Sequence, residues 1–77
     1  MRYAMVIEKS DANYSAYLPD VPGCIATGAT IEEVKRNLAD ALQFHIEGMR
    51  TDEEAPPAAT SIVDYIEVTP TVRRAAG

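Results

Sequence analysis

The sequence predicts a two-layer α+β domain of order β-β-β-α-β, with one amphipathic helix packed on an antiparallel sheet. Three observations lead to this prediction. First, two runs of β-favouring residues flank a polar turn. Second, a helix-start signal precedes a segment in which apolar residues recur every three or four positions. Third, another run of β-favouring residues follows a connector that contains Pro-Pro. A length of 77 residues, with 47 % hydrophobic and 25 % charged residues, fits one small globular domain.

The first two strands are predicted to form a hairpin. Residues 2–8 are apolar through their middle, which favours a central strand covered on both faces. Residues 9–13 form a polar turn, and residues 14–18 return as an antiparallel strand. Because side chains alternate along a strand, Tyr14 and Tyr17 are expected on opposite faces.

A rigid corner follows the hairpin. Pro19 and Pro22 lack a backbone N–H, so no central ladder is expected to pass through it. Gly23 is expected to adopt a backbone angle that other residues resist. Cys24 is the only cysteine, which excludes an internal disulfide and a cysteine-based zinc site; we expect it to be a small buried residue.

The helix has the clearest local signal. After a short third strand over residues 24–28, Thr30 and Glu33 have the spacing of a capping box, in which each side chain bonds the backbone of the other residue. Apolar residues then recur every three or four positions, which predicts a helix over residues 31–47. Gly48 is predicted to end it, as the glycine that follows many helices.

The rest of the chain is predicted to contain a connector, a fourth strand and a tail. Residues 51–60 lack periodicity and contain three acids and a Pro-Pro pair, which is typical of a solvated connector. Residues 62–68 are strand-like, although neither side of that strand is cleanly apolar. We therefore expect one domain over residues 1–70 and a frayed tail over residues 71–77.

Charge and motifs limit the classes of function. A net charge of −5 disfavours binding to phosphate backbones and suits a basic protein partner. No leader and no apolar run of about 20 residues is present, so we expect a cytoplasmic protein without a membrane segment. No phosphate-binding loop or catalytic motif occurs, no cofactor is expected, and the single histidine, His45, is interpreted as structural.

A resemblance emerges from three motifs at a fixed spacing. They are the corner Leu18-Pro19-Asp20-Val21-Pro22-Gly23-Cys24, the turn Ala26-Thr27-Gly28 with the helix start Thr30-Ile31-Glu32-Glu33-Val34, and the helix end His45-Ile46-Glu47-Gly48-Met49. Together with the opening hairpin, these motifs resemble the HicB antitoxin family, over residues 1–50 above all. The combination of corner and helix start is more specific than either motif alone.

The resemblance implies a partial RNase H-like fold and the role of protein antitoxin in a type II toxin–antitoxin pair. In that family the toxin, HicA, is a small basic ribonuclease that cleaves messenger RNA, and the antitoxin covers its active site. The chain itself is then expected to be no enzyme. Many members carry an additional DNA-binding region; only about nine residues follow the last predicted strand, so none is expected in this chain.

Residue-level predictions follow for the partner interface, where exposed aromatic groups and acids are expected to meet a basic toxin. The candidates are Glu8, Asp11, Tyr14, Tyr17 and Asp20. An architectural role is predicted for Pro19, Asp20, Pro22, Gly23, Cys24, Gly28, Thr30 and Glu33. The small core and a last strand at a sheet edge also favour a homo-oligomer, either a dimer or a tetramer.

Two other functions stay open at this point. A minimal divalent-metal nuclease would use carboxylates near Glu8 and Asp20, although nothing in their spacing brings them together. An oligomeric scaffold or ligand-binding module outside toxin–antitoxin systems would need no catalytic group at all.

Overall fold

The computed structural model describes residues 1–71. Its sheet has three antiparallel strands in the order β1 (Val6–Lys9), β2 (Tyr14–Tyr17) and β3 (Ile25–Gly28), followed by one helix, α1 (Ile31–Thr51). The predicted α+β class, with three antiparallel strands and one packed helix, is confirmed.

The core lies between the helix and one face of the sheet. Alternation places Ile7, Ala16 and Ala26 in register on that inner face, where the helix covers them. The corner after β2 adds its own apolar side chains, because two successive turns fold it back over the sheet. The buried residues are Ala16, Leu18, Val21, Cys24, Val34 and Leu38.

The backbone angle predicted for Gly23 is present, and the structure adds a close approach at Gly28. Gly23 has a φ of +84°, in the left-handed region that favours glycine. A β-carbon on Gly28 would lie 2.6 Å from the backbone nitrogen of Val34, so the missing side chain lets β3 approach the first turn of the helix. The burial of Cys24 removes water from its thiol and raises its pKa.

The start of the helix is the predicted capping box with one change of partner. The Glu33 amide donates to the Thr30 hydroxyl at 3.0 Å, as expected. The Glu33 carboxylate accepts from the amide of Ala29 at 2.9 Å, one residue before the cap. The first bond satisfies a backbone donor that the helix leaves unpaired, and the second satisfies a donor of the turn that leads into the helix.

The predicted end of the helix at Gly48 is wrong. The helix continues through Gly48 to Thr51, and Glu53 takes the left-handed position with a φ of 59°. The Glu53 amide donates to the Arg50 carbonyl and the Glu54 amide to the Met49 carbonyl, which together form a Schellman cap. A glycine inside a helix lowers its stability by only about 1 kcal/mol, so it does not by itself end one.

Two strand predictions also need correction. β1 is an edge strand, not a central strand covered on both faces, and residues 2–5 precede it outside the ladder. The predicted fourth strand over residues 62–68 has no strand structure, so the order over the described residues is β-β-β-α. Strands need a ladder partner, which β-rich composition alone does not provide. The RNase H-like detail of the fold stays a prediction.

Residues 62–71, which we call the arm, replace that fourth strand. They contain no helix or strand, and each is exposed. The Cα radius of gyration is 17.1 Å, whereas a compact domain of this length has a radius of gyration of about 11.5 Å. The chain is therefore elongated rather than compact, with principal-axis extents of 62 × 28 × 18 Å. The predicted tail over residues 71–77 lies, after its first residue, outside the described residues.

Candidate functional site

The face of the sheet opposite the helix is open. The strand register and side-chain alternation place two rows of residues on this outer sheet face. Its members are Val6, Glu8, Ser15, Tyr17, Ile25 and Thr27. An antiparallel sheet with one solvated face normally has polar residues there, so apolar residues on this face call for an explanation.

One of the two rows is apolar across all three strands. Val6 lies opposite Tyr17, and Tyr17 lies opposite Ile25. Val6 is half-buried, but Tyr17 is 40 % exposed and Ile25 is 63 % exposed. An exposed tyrosine beside an exposed isoleucine on a rigid sheet is the kind of anchor that protein interfaces use.

The adjoining row is polar. Glu8 lies opposite Ser15, which lies opposite Thr27. Glu8 and Thr27 are exposed, so a carboxylate and a hydroxyl border the apolar row. An apolar centre with a polar, acidic border has the make-up of a protein interface, and the acidic border suits a basic partner.

The structure brings together only part of the predicted interface. Glu8 and Tyr17 share the outer sheet face. Asp11 is exposed in the turn between β1 and β2. Tyr14 lies on the opposite face and packs against the core, so the two tyrosines point to opposite sides, as predicted from alternation.

Asp20 is engaged within the chain. Its carboxylate accepts hydrogen bonds from the amides of Thr60 and Ser61 at 2.9 and 2.8 Å. It also accepts from the hydroxyls of the same two residues, at 3.2 and 2.8 Å. The Ser61 backbone N–H contributes most to a lowered pKa of Asp20, since each donor favours the charged carboxylate. Asp20 therefore fastens the base of the arm to the corner.

Two features were missed at the level of sequence. The sequence predicts Ile25 only as part of a short strand, although Ile25 lies opposite Tyr17 and is the most exposed apolar group on the outer sheet face. The link from Asp20 to Thr60 and Ser61 joins residues about forty positions apart, and no local pattern signals it. Strand pairing could have revealed the first feature, and only the tertiary fold reveals the second.

Groups with catalytic potential are dispersed. Within residues 1–71, no three histidine, cysteine, aspartate or glutamate side chains come close enough to hold one metal ion. Glu8 is on the outer sheet face, whereas Asp20 has both oxygens occupied by hydrogen bonds. No helix in the same part of the chain is both long and apolar enough to cross a membrane.

Comparison with known proteins identifies the family. A family described as "HicB_like antitoxin of bacterial toxin-antitoxin system" matches residues 3–73. An uncharacterized 14.9 kDa protein from the rep-hol intergenic region of Haemophilus phage HP1 is 44 % identical over 66 residues, which cover 86 % of this chain and 50 % of that protein. The chain thus spans about half the length of this relative.

Shorter relatives and one solved structure are also similar to this chain. A UPF0150 protein of Helicobacter pylori is 36 % identical, with 65 % of this chain and 69 % of that protein covered. A UPF0150 protein of Synechocystis is 30 % identical, with 86 % and 85 % covered. The structure "HicA3 and HicB3 toxin-antitoxin complex" matches with a TM-score of 0.65 and 27 % identity, over 78 % of this chain and 70 % of that chain.

Proposed function

Since this chain belongs to the HicB-like antitoxin family of bacterial toxin–antitoxin systems, we propose that it neutralises a small HicA-type ribonuclease by covering the active site of that toxin. The similar solved structure is a complex of a toxin with an antitoxin, which supports a protein partner. Within this chain, the main support for the proposal is the apolar row of Val6, Tyr17 and Ile25 on the outer sheet face, in which Tyr17 and Ile25 are exposed.

The outer sheet face is the proposed contact surface. Tyr17 and Ile25 supply exposed apolar anchors on neighbouring strands, which hold them at a fixed spacing. Their strands also contribute to the core through the opposite face, so little ordering is needed when a partner binds. Such a preorganised surface suits the covering of an active site.

Charge supports the choice of a basic partner. The chain has twelve acidic residues and seven basic ones. Glu8 borders the apolar row, and Asp11 lies in the turn beyond it. Acids at the rim of an interface speed association with a basic toxin and favour it over acidic proteins, while the apolar anchors provide most of the affinity.

Masking requires no chemistry from this chain. The proposed action is steric: a toxin whose active site faces the outer sheet face is closed to RNA for as long as the complex lasts. Inhibition should therefore be stoichiometric, with one antitoxin chain needed for each toxin active site, and should need no metal ion.

Two substitutions on the outer sheet face test the proposal. The toxin to use is the product of a short, basic reading frame adjacent to this gene. Ile25→Asp places a charge among the apolar anchors without entering the core, and we expect it to weaken toxin binding at least 100-fold in calorimetry. Glu8→Lys should slow association several-fold at low salt, with a smaller effect at high salt.

The matched control is Phe44→Asp, because Phe44 is 80 % exposed and lies on the helix, away from the outer sheet face. It should bind the toxin as the unchanged chain does. Equal loss for Ile25→Asp and Phe44→Asp would contradict the proposed surface, as would unchanged binding by Ile25→Asp. The lack of any adjacent basic reading frame that binds this chain would contradict the proposed function itself.

A further inference from the structure

The arm carries large apolar side chains that the described part of the chain leaves in solvent. Ile62 and Tyr65 are each 91 % exposed, Ile66 is 94 % exposed and Val68 is 76 % exposed. Exposed apolar groups occurring singly are ordinary, but four within seven residues are a concentrated patch. Such a segment is typical of an interaction surface whose partner is absent.

An open apolar groove of about 550 Å³ runs between the helix and the N-terminal segment. Its floor is made of Met1 and Met5 on one side and of Leu38, Leu42 and Ile46 on the other, with Lys35 among its lining residues. Leu38 is part of the core, so the groove is a continuation of the core that residues 1–71 leave open beside the N-terminal segment.

The base of the arm does not enter this groove. Asp20 holds Thr60 and Ser61 at the corner, and residues 61–63 line a separate cleft with residues 2–5. From that cleft the arm continues with every residue exposed. The described residues thus include both an apolar segment and an apolar groove, which are not in contact with each other within residues 1–71.

We propose that the arm of a second copy of this chain fills the groove, and that two copies exchange arms in a symmetric dimer. In strand geometry, Ile66 and Val68 point to the same side, so both can enter one groove. Asp64 lies on the same side in that geometry and suits the Lys35 ammonium of the groove. Each copy then places its arm in the groove of the other copy, so the two contacts are identical, as two-fold symmetry requires.

The area is sufficient for a stable dimer. In strand geometry Ile66 and Val68 face the groove together, and at about 100 Å² each they present on the order of 200 Å² on each arm. When both arms and both covered grooves are counted, the exchange buries on the order of 800 Å² of apolar surface. At the roughly 65 % apolar share of homodimer interfaces, this corresponds to about 1,200 Å² in total, the lower end of specific interfaces.

The proposal is independent of the proposed toxin interface. The outer sheet face is on the side of the sheet opposite the helix, whereas the groove lies between the helix and the N-terminal segment. The exchanged dimer therefore leaves both outer sheet faces free. We expect complexes that contain two antitoxin chains and two toxins. Loss of the dimer and loss of toxin binding are separate results.

Sedimentation equilibrium of the full chain measures the first part. We expect a two-chain mass for the unchanged chain and for Phe44→Asp, and a single-chain mass for Ile66→Asp at the same concentration. Since Ile66 lies outside the core, circular dichroism should show unchanged helix content in Ile66→Asp. A single-chain mass for the unchanged chain, or a two-chain mass that Ile66→Asp leaves intact, would overturn the proposal.

Cysteine cross-linking identifies the occupant of the groove. In a Cys24→Ala background, a chain with Ile66→Cys is mixed with a chain with Gln43→Cys, a groove residue, and oxidised. We expect a disulfide between the two chains, and none when Gln43→Cys is replaced by Asp40→Cys, an exposed helix position outside the groove. Absence of the disulfide in the mixture, or its formation only within a chain that carries both cysteines, would show that no second copy fills the groove.

Discussion

Replacing Gly28 with alanine should destabilise the domain, because the contact between β3 and α1 leaves no room for a β-carbon. The added atom would lie 2.6 Å from the nitrogen and 2.9 Å from the Cα of Val34, and 3.1 Å from the carbonyl carbon of Glu33. All three are backbone atoms at the capped start of the helix, so no flexible side chain can yield. The strand and the helix must separate, and the buried Val34 loses part of its packing.

The magnitude follows from two opposing effects. Overpacking of this kind costs about 1–3 kcal/mol. Alanine also restricts the conformations of the unfolded chain, which raises the unfolding free energy by about 0.4–1 kcal/mol. The expected net loss of unfolding free energy for Gly28→Ala is about 1–2 kcal/mol, which lowers the Tm of a domain of this size by about 5–15 °C.

Gly48→Ala is the matched control. Gly48 lies inside the helix with nothing within 4 Å of its added β-carbon, so alanine should raise stability by about 0.5–1 kcal/mol. Thermal and urea unfolding, followed by circular dichroism at one fixed protein concentration, compares the two variants. If Gly28→Ala were neutral or stabilising, as Gly48→Ala should be, the close approach of strand and helix would be refuted.

Two further predictions concern the helix end and the anchor of the arm. Glu53→Gly should raise the unfolding free energy by about 0.5–1 kcal/mol, because glycine occupies the left-handed position of the cap without strain. The control Glu54→Gly should not raise the unfolding free energy; urea titration measures both variants. The lowered pKa of Asp20 means that its anchoring contribution is present above the ordinary aspartate pKa and lost as pH falls through the lowered value. The amide resonances of Thr60 and Ser61 should report that loss, and in Asp20→Asn they should not titrate; a midpoint at or above the ordinary aspartate value would contradict the anchor.

Local signals predicted the elements that local interactions determine. Thr30 and Glu33 marked the helix start because the cap is made by residues three positions apart. Gly23 marked the corner because its backbone angle excludes most other residues. Alternation along one strand placed Tyr14 and Tyr17 on opposite faces.

The features that were missed depend on contacts distant in sequence. Residues 62–68 have the composition of a strand, but a strand forms only where a ladder partner is available. The sequence predicts both an interface role and an architectural role for Asp20, but nothing near it in sequence indicates that Thr60 and Ser61 are its partners. The open row through Tyr17 and Ile25 appears only once the register of β2 and β3 is known.

We have proposed that this chain inhibits a toxin by covering it, and that the chain itself makes and breaks no bond. The most direct test titrates the purified chain into a fixed amount of the adjacent basic ribonuclease and measures RNA cleavage. We predict a linear loss of cleavage that ends at one chain per toxin, an inhibition that Ile25→Asp abolishes, and no cleavage by the chain alone. Cleavage that persists beyond equivalence, or RNA hydrolysis by the purified chain itself, would contradict the account.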